Sequence, residues 1–76
     1  MAEQVIRLIF PPAQLNTPVI NTLIRTYQDI TVNILRAEVT EDYGWLEVHI
    51  VGTSAMIESA VSWLRNQGIE TQTLGA

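Results

Sequence analysis

Cysteine and lysine are both missing from these 76 residues, and histidine occurs once. Without cysteine there is no disulfide framework, no thiolate metal site and no iron–sulfur cluster, and the chain fits a reducing compartment. Positive charge rests on four arginines alone, against eight acidic residues, for a net charge of -4. Such a surface repels nucleic acid and anionic lipid, so neither is an expected partner. Charged residues are few, 16% against 47% hydrophobic, which is the balance of a globular chain and not of a disordered one. Long apolar runs are missing too. Those present span a few residues and are broken by Arg or Pro, and the first twenty residues carry neither a basic segment nor the long apolar stretch of a secretion signal. No membrane span and no export signal is expected, and the expected location is the cytoplasm. A chain this short folds as one domain over residues 1–76, with a small core.

What is present is a regular alternation of elements. Gln4 to Phe10 (QVIRLIF) is rich in β-branched residues and stops at Pro11-Pro12, which predicts a strand. After a loop over 11–16, Thr17 followed by Pro18 makes a helix start, a hydroxyl N-cap with proline in the first turn. Ile20, Leu23, Ile24 and Tyr27 recur at helical spacing, and the helix is expected to end near Gln28-Asp29. Ile30 to Thr40 and Gly44 to Val51 then read as strands, joined into a hairpin by the polar turn Glu41-Asp42-Tyr43. Gly52-Thr53-Ser54 breaks the pattern and offers a second N-cap. Ile57, Ala60, Val61 and Leu64 form the core face of a second helix, closed by Gly68, and Ile69 to Leu74 is a last, weaker strand. The order β-α-β-β-α-β, with right-handed crossovers, predicts an α+β ferredoxin-like sandwich: two helices on one face of a four-stranded antiparallel sheet.

Alternation assigns the faces. Ile6, Leu8, Phe10, Leu35, Ala37, Val39, Leu46, Val48 and Ile50 share one parity, which belongs under the helices. Val5, Arg7, Ile9, Ile34, Arg36, Glu38, Trp45, Glu47, His49 and Val51 share the other, a mixed open face more apolar than solvent requires. The topology puts the long second strand at a sheet edge. An edge carrying Val32, Ile34 and Leu35 invites pairing with a second copy; the alternative is that Arg36, Glu38 and the strand's twist protect the edge in a monomer.

Residues that could carry chemistry are scarce. His49 lies mid-strand, within reach of Arg36 across the hairpin, and a lone histidine without metal-ligand spacing is an ordinary surface residue. Glu41 and Asp42 fit a solvated turn. Thr53 and Ser54 are helix caps outside any G-x-S-x-G context, and the glycine patterns of nucleotide-binding loops are absent. No nucleophile stands beside a base. On the open face of the two inner strands Arg7, Ile9, Glu47 and His49 replace the stacked aromatics of an RNA-binding sheet. Trp63 is placed at the helix–sheet border, and Trp45 either covers the open face or enters an interface. No enzyme, cofactor or metal is expected.

Asn33 is the odd residue, an amide with core-face parity. A buried amide without partners costs about 1–3 kcal/mol. Either it is tied to neighbouring backbone at a solvent-reached strand end, or it is the polar anchor of a small-ligand pocket.

Asn33-Ile34-Leu35, in the second strand, is the tripeptide after which the NIL domain is named. RLIF at 7–10, TPVINTLIRTY at 17–27, Tyr43-Gly44, AVSWL at 60–64 and TLG at 73–75 resemble that family from end to end. The resemblance implies a relative of the C-terminal regulatory module of methionine-importer ATPase subunits, similar in fold and logic to ACT domains. In those transporters two such domains associate and bind methionine at their interface, so that the amino acid inhibits its own uptake. Members fused to ferredoxin-type cluster domains also occur, but a chain without cysteine does not match them. With its own Met1 and an end just past the domain, the chain reads as a free-standing version. The expected function is therefore a non-enzymatic, amino-acid-binding regulatory homodimer, with methionine as the candidate ligand and Val32, Asn33, Ile34 and Leu35 as the ligand-binding residues. The alternative is an adaptor domain that binds a partner protein and no ligand.

Overall fold

The computed structural model describes residues 1–15 and 18–75. Its elements follow the expected order: β1 (Ala2–Phe10), α1 (Val19–Thr26), β2 (Thr31–Val39), β3 (Gly44–Gly52), α2 (Ser54–Asn66) and β4 (Glu70–Gly75). A 3-10 turn at Pro12–Gln14 follows β1. The sheet is four-stranded, with spatial order β2-β3-β1-β4 and every pairing antiparallel. β1 and β3 are the inner strands and pair along their whole length, from Ala2 opposite Gly52 to Phe10 opposite Gly44. This is the ferredoxin-like sandwich.

The core lies between sheet and helices. Ile6, Leu8, Val48 and Ile50 from the inner strands meet Leu23, Ile57, Ala60 and Leu64 from the helices, all buried. Each of these side chains removes apolar area worth about 1.5–3 kcal/mol for a residue of Leu or Ile size. In α1 the buried residues are Val19 and Leu23, with Ile20 and Tyr27 half-buried against the core. Ile24, expected on this face, is 44% exposed. The stripe that packs runs 19, 23 and 27, rotated from the expected one toward the start of the helix. The expected N-cap, Thr17, lies outside the described residues. Trp63 packs at the border of helix layer and core, where it was expected.

α2 shows how local sequence sets element ends. The Thr53 hydroxyl accepts from the Met56 N–H at 3.1 Å and caps the first turn. At the other end Gly68 takes φ +86, a left-handed conformation that favours glycine. Its N–H donates to the Arg65 carbonyl at 3.0 Å, and the Ile69 N–H to the Leu64 carbonyl at 3.2 Å, which closes a Schellman motif. The chain is thereby turned into β4. Hydrogen bonds lace the helix layer: Tyr27 Oη donates to the Ser59 carbonyl, and Gln14 Nε2 to the Gln67 carbonyl.

β2 departs from the expected alternation. Ile34 stands opposite Val48 and Arg36 opposite Glu47, so Leu35 has no partner: it is the extra residue of a β-bulge. Directly opposed residues share a face. Val32 and Ile34 therefore lie on the helix side, with Ile50 and Val48, and beyond the bulge Ala37 and Val39 do so as well. Asn33, opposite His49, is on the open face and exposed. Three expectations are corrected at once. Asn33 does not have the core-face position, Ile34 is not on the open face, and Leu35, 54% exposed, is not in the core. One inserted residue inverts parity on one side of itself, which simple alternation does not register. Coverage of β2 is also poor. α2 packs over β3, β1 and β4, and of the β2 residues only Val32 is even half-buried.

Candidate functional site

The open face and the free β2 edge are where the structure leaves chemistry accessible. Register organises the open face into rows. Asn33, His49 and Val5 make one; Arg36, Glu47, Arg7 and Gln72 the next; Glu38, Trp45, Ile9 and Glu70 the third.

The middle row holds the most unusual group. Glu47 is only 4% exposed although no helix covers it. Two arginines close over it instead. Arg7 donates Nε and Nη2 to Glu47 Oε2, the former at 3.0 Å, and Arg36 donates Nε to Oε1 at 2.7 Å, with its Nη2 in ion-pair contact with the same oxygen at 2.6 Å. These hydrogen bonds, that from Arg7 first, hold the Glu47 carboxyl below the usual carboxylate range. Arg7 also lies over the Trp45 ring, 5.5 Å from its centroid, so Trp45 covers the open face as a cation–π platform. One carboxylate between two guanidiniums leaves the triad with a unit of positive charge.

Around the triad the other charges are engaged or peripheral. Glu38 accepts from Tyr43 Oη at 3.0 Å, and this carboxylate raises the Tyr43 pKa by stabilising the protonated phenol. His49 Nε2 is 3.7 Å from Glu3 Oε2. It does not face Arg36; that partner is Glu47. Counting back from the turn, Val39 pairs with Gly44 and hence Arg36 with Glu47, so the turn was the signal that could have found this pair. The bulge then moves Asn33 into the row of His49.

Of the four residues expected to bind a ligand, the structure brings Asn33 to the open face and leaves Leu35 exposed at the bulge. Val32 and Ile34 lie on the opposite side of the strand. The Asn33 side chain has no hydrogen-bond partner among the described residues. A separate opening of about 210 Å³ lies at the start of α1, walled by Phe10, Leu15, Val19, Ile20, Val39 and Leu46. No charged residue lines it, so it offers no counter-charge to an ionic ligand. Among the described residues no group of three or more His, Cys, Asp or Glu could hold a metal ion, and no helix is long and apolar enough to cross a membrane.

A two-layer ferredoxin-like sandwich with an open, mixed face and a free edge strand is the architectural class. The chain belongs to the NIL domain family, whose profile matches residues 4–73. It is 30% identical over 77 residues to the methionine import ATP-binding protein MetN of Helicobacter pylori, covering 96% of this chain and 23% of that protein. The corresponding protein of Halalkalibacterium halodurans is 29% identical over 75 residues, covering 93% of this chain and 22% of its own length. The chain thus spans under a quarter of these relatives. In three dimensions it matches the C-terminal domain of an ABC transporter ATP-binding protein from Enterococcus faecalis, with a TM-score of 0.79, 26% identity, and coverage of 95% of this chain and 83% of that one. A designed protein, Foldit4, shares the fold at a TM-score of 0.60 and 14% identity.

Proposed function

We propose that this chain is a regulatory module that binds a free amino acid, methionine first among candidates, and works as a homodimer without catalysing a reaction. The observation that carries the reading is the alignment of nearly the whole chain with one part of methionine import ATP-binding proteins. A module that matches under a quarter of an ATP-binding subunit, and has no constellation for phosphate or acyl chemistry in its sequence, fits sensing better than turnover. The open face supplies what an amino acid needs. It has an exposed amide at Asn33 and fixed guanidiniums, with the exposed Leu35 beside them at the bulge. The adjoining β2 edge supplies free backbone donors and acceptors across Val32 to Leu35.

The test is a thermal-shift screen of the twenty amino acids. A ligand at a hundred times its Kd stabilises by about 2.7 kcal/mol, which for a domain of this size raises Tm by roughly 10–20 °C. A shift of this order with methionine, and smaller shifts with charged amino acids, is the expected result. The competing reading, an adaptor that binds a protein partner and no ligand, draws on Ile34, Leu35 and Val39, which are 54–67% exposed along the free edge. It predicts no shift with any amino acid.

A further inference from the structure

We infer that Arg36 is the residue that holds the ligand's carboxylate, with Asn33 accepting from its ammonium; the inference rests on the amino-acid reading above. The bulge at Leu35 creates the arrangement. In an unbroken strand, residues three apart point to opposite faces. Here Asn33 and Arg36 stand opposite His49 and Glu47, which are same-face neighbours on β3. The two side chains therefore rise from one face roughly 7 Å apart, the spacing of alternate residues along a strand.

Arg36 is oriented before any ligand arrives. Its Nε donates to Glu47 Oε1 and its Nη2 lies against the same oxygen at 2.6 Å, while Arg7 occupies Oε2 and keeps the carboxylate from turning. A guanidinium carries five N–H donors in a rigid plane. The edge formed by Nη1 and the outer N–H of Nη2 has no partner among the described residues, and the side chain is 68% exposed. That free edge suits a second carboxylate, which would also neutralise the surplus positive charge of the triad. Glu38, the neighbouring carboxylate on this face of β2, is already engaged by Tyr43. On the other side, the exposed Asn33 amide offers an oxygen to an ammonium. A free α-amino acid carries both groups on one carbon, and with a hydrogen bond of about 2.9 Å at either end it bridges the separation.

Isothermal titration of the full chain with L-methionine and L-methioninamide, whose carboxylate is a neutral amide, tests the assignment. Wild type is expected to bind methionine about tenfold or more tighter than methioninamide, the usual scale for one charge-assisted contact. Arg36→Gln should lose that preference while its circular-dichroism melt stays near wild type, because Arg7 still holds Glu47. If Arg36→Gln does not fold, Arg36→Lys replaces it with the same expected loss, since an ammonium held by Glu47 has no second planar edge. Equal binding of the two compounds by wild type, or a preference that survives substitution of Arg36, overturns the role of Arg36 and leaves the amino-acid reading standing. No binding of methionine to wild type at millimolar concentration overturns both.

Discussion

Glu47 concentrates the electrostatics of the sheet in one side chain. It sits at the centre of the open face, nearly inaccessible, and its charge is compensated on both flanks by side chains from different strands. A carboxylate hydrogen-bonded in its ionised form resists protonation, and its folded-state pKa lies below the ordinary value of 4.5. The sign of the linkage follows. The stabilisation is fully present above the unfolded-state pKa and is lost as pH falls through the lower folded-state value. Glu47→Gln should therefore be less stable than wild type at neutral pH, and the two should converge in acid. Urea denaturation between neutral pH and the lower carboxylate range measures this difference. A gap that stays constant with pH would mean that Glu47 acts through packing and not through its charge.

At the scale of elements, β2 is the strand whose behaviour its neighbours decide. It is long and rich in β-branched residues, yet only one of its edges meets a partner strand, and of its residues only Val32 is even half-buried. The bulge at Leu35 and the charged pair Arg36 and Glu38 are devices that blunt an edge against indiscriminate pairing. They also separate two leucines of identical chemistry into different environments. Leu8→Ala, in the core at 0% exposure, should cost about 2–5 kcal/mol. Leu35→Ala should change the stability of the monomer by no more than about 0.5 kcal/mol. Chemical denaturation of both variants at low protein concentration is the check. A loss at Leu35 comparable to that at Leu8 would place it in a packed site.

For the molecule as a whole, the accessible surface is 4694 Å², close to the roughly 4,700 Å² that size scaling gives for a folded monomer of this mass. The monomer has its own buried core, while Ile34, Leu35 and Val39 stay 54–67% exposed along the β2 edge. Association of the proposed kind is then reversible and concentration-dependent, held by the open face and the β2 edge. Sedimentation at tens of micromolar should show dimer in exchange with monomer, a range that corresponds to a Kd near the micromolar scale. Leu35→Ala should shift that exchange toward monomer. A clean monomer at millimolar concentration, with and without methionine, would remove the homodimer from the proposed function.

Local residue chemistry was enough for the order of elements, several of their ends and the outline of the core, although α1 stops at Thr26, short of the expected Gln28-Asp29. Pro11-Pro12 stops a strand, Thr53 caps a helix and Gly68 closes one, because each acts through its own backbone and its immediate neighbours. The same holds for the inner strands, where Ile6, Leu8, Val48 and Ile50 alternate without interruption. The NIL tripeptide was likewise legible as a string. Its geometry was not. Which face Asn33 occupies depends on a single unpaired residue, and a bulge is chosen by the fit of two strands to each other, not by the letters of one. The same pairing decided that Glu47, and not His49, would lie against Arg36. Side chains 11 and 40 positions from Glu47 in the chain meet it only because β3 lies between β2 and β1. Contacts across strands belong to the register, and the register exists only once the sheet has formed.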